Sequence, residues 1–252
     1  MSGSLTITEY VTAMIGVPAL WTLFHRKITQ ELAAKPAIVE QAMRALVSAH
    51  GALRNRKNIN LGKLLFWPVH RKFGGRIKFL VSGGSALSDE VHAAFHGLGF
   101  DLAEGYGLTE AAPVLSVEAG GNRRLAGSVG KALPGVELRI DTPDDDGIGE
   151  GLARGPNVMA GYFGDREATE ATLVDGWLRT GDLGRLDADG RLFLVGRKKD
   201  VIIDSNGKNV YPDELEELYA AHAAVKELSV VGLPDEGGGE KVACLCVPDY
   251  GE

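Results

Sequence analysis

Two short apolar runs, Ile77-Lys-Phe-Leu-Val-Ser82 and Phe100-Asp-Leu-Ala-Glu104, flank a stretch with the marks of a capped helix, and glycines follow each run. Ser88 can accept a hydrogen bond from the first turn. Asp89 and Glu90 stand where a helix N-terminus favours negative charge, and the helix is predicted to end near Gly97. Strand, helix and strand in this order join as parallel neighbours through a right-handed crossover. Gly83-Gly84 and Gly105 to Gly107 then leave the carboxyl ends of adjacent strands. Open α/β sheets bind ligands at that edge.

Upstream, Leu20, Leu23, Phe24, Ile28 and Leu32 recur at three-to-four spacing after Pro18 and predict an amphipathic helix over 18–34. Ile38, Ala42 and Leu46 predict a second helix over 37–50, with 51–64 as a loop or broken helix. Residues 1–115 thus read as a partial parallel α/β subdomain. The texture then changes. Over 116–197 strands are short and glycines crowd (Gly120, Gly121, Gly127, Gly130, Gly135, Gly147, Gly149, Gly151, Gly155), the pattern of a small antiparallel β-barrel or sandwich. Asp144-Asp-Asp-Gly147 and Asp187-Ala-Asp-Gly190 read as hairpin turns. Their spacing is poor for a calcium loop. Residues 198–252 open a small α+β domain, with a hairpin at Asn206-Gly207, a helix from Pro212 with Glu214 and Glu216 early, and strands at 225–232 and 241–247. The fold class is α/β.

With 252 residues, 44% of them hydrophobic, the chain can bury one large core or two smaller ones, and it is not a disordered composition. There is no apolar run of about 18 residues for a spanning helix. The start, Met1-Ser-Gly-Ser4, lacks the basic-then-apolar order of a signal peptide. Cys244 and Cys246 share a face of the last strand beside Val242 and Leu245, and read as core or half-buried thiols. Cys-x-Cys without a neighbouring His or further Cys is poor zinc spacing. Such cysteine usage suits a reducing cytoplasm.

Charge is unevenly placed in this chain of net charge −7. No acid lies between Glu40 and Asp89, but Arg44, Arg54, Arg56, Lys57, Lys63, Arg71, Lys72, Arg76 and Lys78 do, with Leu64-Leu-Phe-Trp67 among them. A solvated basic face is the plain reading of segment 44–78. Peripheral contact with an anionic membrane, or with ligand phosphates, is the functional one. Nucleic acid is disfavoured, because aromatics are few and no nucleic-acid motif occurs.

Several short motifs carry chemistry. In Gly105-Tyr-Gly-Leu-Thr-Glu110 the glycines let backbone and ligand approach, and Tyr106 can offer a ring face to a base. Thr109 can offer a hydroxyl to a phosphate and Glu110 a hard oxygen to Mg²⁺. The plain alternative is a strand-end loop with a buried tyrosine. Asp182, in Thr180-Gly-Asp182, has two acceptor oxygens that suit paired ribose hydroxyls, unless it merely caps a turn. Arg197, in Gly196-Arg-Lys-Lys-Asp200, offers a forked donor. Its plain reading is an exposed basic hairpin end. His92 and His96 stand four apart on a helix, yet no third metal ligand is evident.

The order of these motifs, followed by Ser205-Asn-Gly-Lys-Asn-Val-Tyr-Pro-Asp-Glu-Leu-Glu216, resembles the adenylate-forming enzymes, which use ATP to activate carboxylic acids as acyl-AMP and often pass the acyl group to CoA. The resemblance implies ATP or AMP, Mg²⁺ and CoA as ligands. It places Tyr106 on adenine, Thr109 on the α-phosphate and Glu110 on the metal, the last two being catalytic. Gly107 belongs to the same nucleotide loop. Ser82-Gly-Gly-Ser-Ala-Leu87 matches the loop bordering adenine and acyl group, through Gly84 and Ser85. Asp182 would hold the ribose hydroxyls, with Arg197 at the ribose and the domain junction. Lys199 matches the hinge of the C-terminal lid, and Gly207 would let the pantetheine arm pass.

The stretch Gly196 to Gly207, together with Ile15-Gly-Val-Pro-Ala-Leu-Trp21 and Phe73 to Gly84, is similar to the long-chain acyl-CoA synthetases, so a long-chain fatty acid is the expected substrate. The family's Ser/Thr/Gly-rich phosphate loop and its C-terminal catalytic lysine have no match in these residues. Lys241 lacks the right context. The expectation is an internal slice or truncated relative that binds AMP without turnover. The rival reading is a non-catalytic nucleotide- or acyl-binding module derived from the same fold.

Overall fold

A computed structural model describes residues 11–118, 125, 127–205, 207–220, 222, 224–235 and 239–248. The expectations resting on Met1–Ser4, Gly120, Gly121 and Asn206 lie outside the described residues. The chain divides into two compact units, Met1–Leu133 and Pro134–Glu252.

The first unit opens with β1 (Ala13–Gly16), α1 (Pro18–Ala33), α2 (Ala37–Lys57) and the short α3 (Gly62–Leu65) and α4 (Trp67–Lys72). It continues with β2 (Phe79–Gly83), α5 (Asp89–Gly97), β3 (Leu102–Tyr106), β4 (Ser116–Val117) and β5 (Ser128–Ala132). The strand–helix–strand unit is present: β2 and β3 are parallel, with Ser82 opposite Glu104 and Gly83 opposite Gly105. Ser88 caps α5, accepting the Val91 N–H at 3.4 Å. The sequence pattern did not reveal β1, which pairs in parallel with β2 from Ala13 opposite Phe79 to Gly16 opposite Ser82. Its four residues are too few to set a period. β4 turns antiparallel against both β3 and β5, where the change of texture near residue 115 predicted it.

Helix α2 departs from expectation. It runs through Gly51 to Lys57 and ends on Asn58, whose φ of 58° closes it in the left-handed region. Residues 51–57 are therefore helix, not loop. The expected face is also wrong: Ile38 is 78% exposed and Leu46 is exposed, whereas Met43, Val47, His50 and Arg54 turn inward. Tertiary hydrogen bonds explain both points. His50 donates Nδ1–H to Gly97 O at 2.6 Å and accepts the Leu61 N–H on Nε2 at 2.9 Å. Arg54, fully buried, donates to His96 O (2.8 Å), Phe100 O (3.0 Å) and the Asp101 carboxylate (2.6 Å). Thus Arg54 is not part of a basic surface. It anchors the α5–β3 connection. These bonds outweigh the helix-weakening glycine at 51.

Around this polar knot lies the core of Trp21, Phe24, Phe66, Phe73, Leu80, Phe95, Phe100 and Leu102. Its rings meet mostly edge-on or tilted, as between Phe24 and Phe73 at 5.1 Å.

The second unit has β6 (Glu137–Asp141), β7 (Gly149–Arg154), α6 (Arg166–Thr172), β8 (Leu173–Val174), β9 (Trp177–Leu186) and β10 (Arg191–Arg197). After these come β11 (Ile202–Ile203), β12 (Asn209–Val210), α7 (Pro212–Ala220), β13 (Val225–Pro234) and β14 (Glu240–Pro248). β6, β7, β9 and β10 pair antiparallel in the order β10-β9-β7-β6. The two aspartate turns join hairpins: Asp144 Oδ1 accepts the Asp146 and Ile148 amides, and Asp187 Oδ1 those of Asp189 and Arg191. β13 and β14 form a two-stranded sheet, with α7 tied to it through Glu216 Oε1, which accepts the Val230 N–H at 2.7 Å. Cys244 and Cys246 are free and exposed, contrary to the expected burial, because β14 pairs there with β13 alone, in a two-stranded sheet.

The α/β class therefore holds, with a parallel portion first and antiparallel strands after it.

Candidate functional site

In the first unit, parallel pairing of β2 and β3 brings two loops to one sheet edge, since Gly83 and Gly105 are register partners. The loop after β2 exposes Gly84 and Ser85 and buries Leu87. The loop after β3 starts at Tyr106, only 9% exposed, and makes a single 3₁₀ turn over Thr109–Ala111. Thr109 is exposed and Glu110 half-buried on that turn. Gly107 is required by the chain itself: a Cβ there would stand 1.8 Å from Pro113 O.

Beneath these loops lies a pair that sequence reasoning missed. Glu104 is 6% exposed and His92 5%. Their Oε1 and Nδ1 atoms are 3.5 Å apart. The sequence set His92 beside His96 on a helix without a third metal ligand, and among the described residues no group of three or more His, Cys, Asp or Glu could hold an ion. The available signal was the alternation in β3, which puts Glu104 on the same side as Leu102 and Tyr106.

In the second unit, Asp182 on β9 faces Arg197 on β10 as its register partner, with Oδ1 to Nε at 3.1 Å. Asp182 is buried, whereas the Arg197 side chain is 58% exposed. An ion pair with so exposed a member is worth at most about 1 kcal/mol, so a ligand can displace it at small cost. Thr180 supports the turn: its hydroxyl donates to Gly151 O at 2.7 Å and accepts the Asp182 N–H at 3.2 Å.

A residue not foreseen, Glu150 on β7, lies beneath this turn. It accepts from Arg179 at 2.7 Å, Lys198 at 2.9 Å and the Gly181 N–H at 3.3 Å. Burial opposes its charge, but the hydrogen bonds from Arg179 and Lys198 prevail and hold its carboxyl below the usual range. An acid between two glycines, Gly149-Glu-Gly151, was the sign in the sequence. Lys198 and Lys199 are both exposed on the 3₁₀ turn Lys198–Asp200, and Lys198 reaches back to pair with Glu150. Gly207 lies in the turn Asp204–Lys208 at φ 76°.

The donor set suits a magnesium nucleotide better than a bare ion. Mg²⁺ is usually held by one or two carboxylates and the phosphates it accompanies. Glu110, half-buried next to Thr109 on the 3₁₀ turn, is the carboxylate that would hold such an ion.

Comparison with known proteins assigns the family. The model of the AMP-binding enzyme family matches residues 5–163, more than half of the chain. The chain is 41% identical over 177 residues to a long-chain-fatty-acid–CoA ligase of Yersinia pestis, covering 68% of the chain and 31% of that protein. It is 40% identical over 178 residues to an indoleacetate–CoA ligase of Aromatoleum aromaticum, covering 68% and 35%. Among solved structures it resembles the O-succinylbenzoate coenzyme A synthetase of Bacillus subtilis in complex with ATP and magnesium ion. The TM-score is 0.63 at 34% identity, over 69% of this chain and 37% of that one. The chain belongs to the AMP-binding enzyme family. It spans about a third of the length of these relatives.

Proposed function

We propose that this chain is part of an ATP-dependent, AMP-forming acyl-CoA ligase acting on a long-chain fatty acid. The observation that carries the reading is the shared edge of β2 and β3, where the Ser82–Leu87 and Gly105–Glu110 loops emerge side by side. In this reading Tyr106 takes adenine, Thr109 the α-phosphate and Glu110 the magnesium. Gly84 and Ser85 border the acyl group, and Gly107 keeps the nucleotide loop close-packed. Asp182 and Arg197 take the ribose. Residues from 198 onward belong to a lid that turns about Lys199, with Gly207 beside the CoA arm, a division of labour suited to two successive half-reactions. The two exposed free thiols suit a reducing cytoplasm. Fatty acid is favoured over other carboxylates by the long-chain form of the Gly196–Gly207 stretch.

These residues include no Ser/Thr/Gly-rich phosphate loop, whose donors supply several kcal/mol of barrier lowering, so the test measures binding. Calorimetric titration of the chain with AMP is expected to saturate, and Asp182→Ala to weaken binding about tenfold. Absence of saturable binding would sink the proposal.

We also propose that α3 and α4 touch an anionic membrane. Leu64 is 78% and Trp67 52% exposed, and Lys57, Lys63, Arg71 and Lys72 surround them in sequence, all exposed. Apolar groups that enter the headgroup region, with cations that meet anionic lipid, form an interfacial anchor. Among the described residues no helix is long and apolar enough to cross a membrane.

A further inference from the structure

Glu104 and His92 are both buried in the first unit, whose apolar core includes Leu80, Leu87, Val91 and Phe95. A carboxylate there is costly to bury unless its contacts repay it. Its contacts converge on the two glycine loops. Glu104 Oε2 accepts the backbone N–H of Leu87, which closes the loop after β2, at 3.4 Å. Its Oε1 faces His92 Nδ1 at 3.5 Å, from α5. Its own carbonyl accepts the Glu118 N–H at 2.8 Å, just past β4. Two residues on, the chain enters Tyr106 and the second loop. Ser82, the register partner of Glu104, is 1% exposed and starts the first loop. One side chain therefore joins the end of one loop to the root of the other.

We propose that Glu104 is a positioning residue: it fixes the Ser82–Leu87 loop against the Gly105–Glu110 loop, and His92 orients its carboxylate. The inference rests on the reading that these loops border nucleotide and acyl group. Glu104 itself, buried beneath them, acts through the loops.

The test uses the full chain with two readouts, amide hydrogen exchange at Leu87 and AMP titration. Glu104→Leu is expected to speed Leu87 exchange at least tenfold and weaken AMP binding about tenfold, with exchange at Phe95 in α5 unchanged. Glu104→Gln, which keeps an acceptor oxygen, should restore both. Leu87 exchange at the wild-type rate in Glu104→Leu, or equally fast in the Gln variant, overturns the inference. If Glu104→Leu does not fold, Glu104→Asp takes its place. Withdrawing the carboxylate by one methylene should also speed Leu87 exchange, and a wild-type rate overturns the proposal. If the wild-type chain binds no AMP, the proposed function falls, while Leu87 exchange still decides the role of Glu104.

Discussion

At Gly107 the chain's own backbone leaves no room for a side chain. An alanine Cβ would meet Pro113 O at 1.8 Å and the Val114 Cα at 2.8 Å, and neither is a flexible side-chain end. Gly107→Ala is therefore expected to destabilise the first unit by about 3 kcal/mol, as overpacking against a fixed backbone does. Gly207 contrasts with it. Its φ is 76°, but nothing lies within 4 Å of an added Cβ. Gly207→Ala should cost only the left-handed penalty, about 1 kcal/mol. Urea unfolding of both variants checks the pair; equal costs would contradict the assignment. Sequence alone offered ligand approach for both glycines, and a hairpin turn besides for Gly207. Only the folded chain separates a packing requirement from a turn requirement.

At the scale of elements, the α5–β3 connection is held by polar groups from two helices. His50 and Arg54 come from α2, and His70, on α4, donates Nε2–H to Leu98 O at 2.9 Å while stacking on Phe100 at 4.1 Å. Arg54→Leu leaves His96 O, Phe100 O and Asp101 without this donor and should cost about 3 kcal/mol, read as a lower urea midpoint.

Burial pushes the His70 imidazole below its ordinary value, and the charges of Lys63, Arg54 and His50 act the same way against the Leu98 hydrogen bond. The unfolded chain takes up that proton near pH 6.5, and the folded chain only at lower pH. The contribution of His70 is thus complete above pH 6.5 and is lost as pH falls from there through the folded value. Its slope is at most about 1.4 kcal/mol per pH unit. Thermal unfolding between pH 7.5 and 5.5 should be steeper in pH for the wild type than for His70→Gln. Parallel curves would remove His70 from the account. The apolar periodicity suggested a helix break at Gly51 because most of the partners that carry α2 past it lie more than 40 residues away and are mostly backbone carbonyls, which no sequence pattern displays.

At the scale of the molecule, a chain of net charge −7 keeps its acids out of the span between Glu40 and Asp89. With Arg54 buried and Lys72 paired with Glu31, the exposed cations around Trp67 still include Lys57, Lys63 and Arg71. The chain should co-sediment with vesicles containing anionic phospholipid, lose that binding as salt is raised, and bind several-fold less as Trp67→Ala. Equal binding to neutral vesicles would refute an electrostatic surface.

What the sequence determined by itself is local. It contained the strand–helix–strand unit, the Ser88 cap, the aspartate hairpins, and the family motifs with Tyr106, Thr109, Glu110, Asp182 and Arg197, because capping, turn chemistry and motif order are matters of near neighbours. The tertiary structure decided what depends on distant partners: the inward face and full length of α2, the pairing of β1, the exposure of Cys244 and Cys246, and the buried carboxylates Glu104 and Glu150. A charge in a strand looks solvent-facing until its donors are in place. Those of Glu150 come from residues about 30 and 48 positions further along the chain, and His92 and Leu87, beside Glu104, reach it only once β2, α5 and β3 have packed.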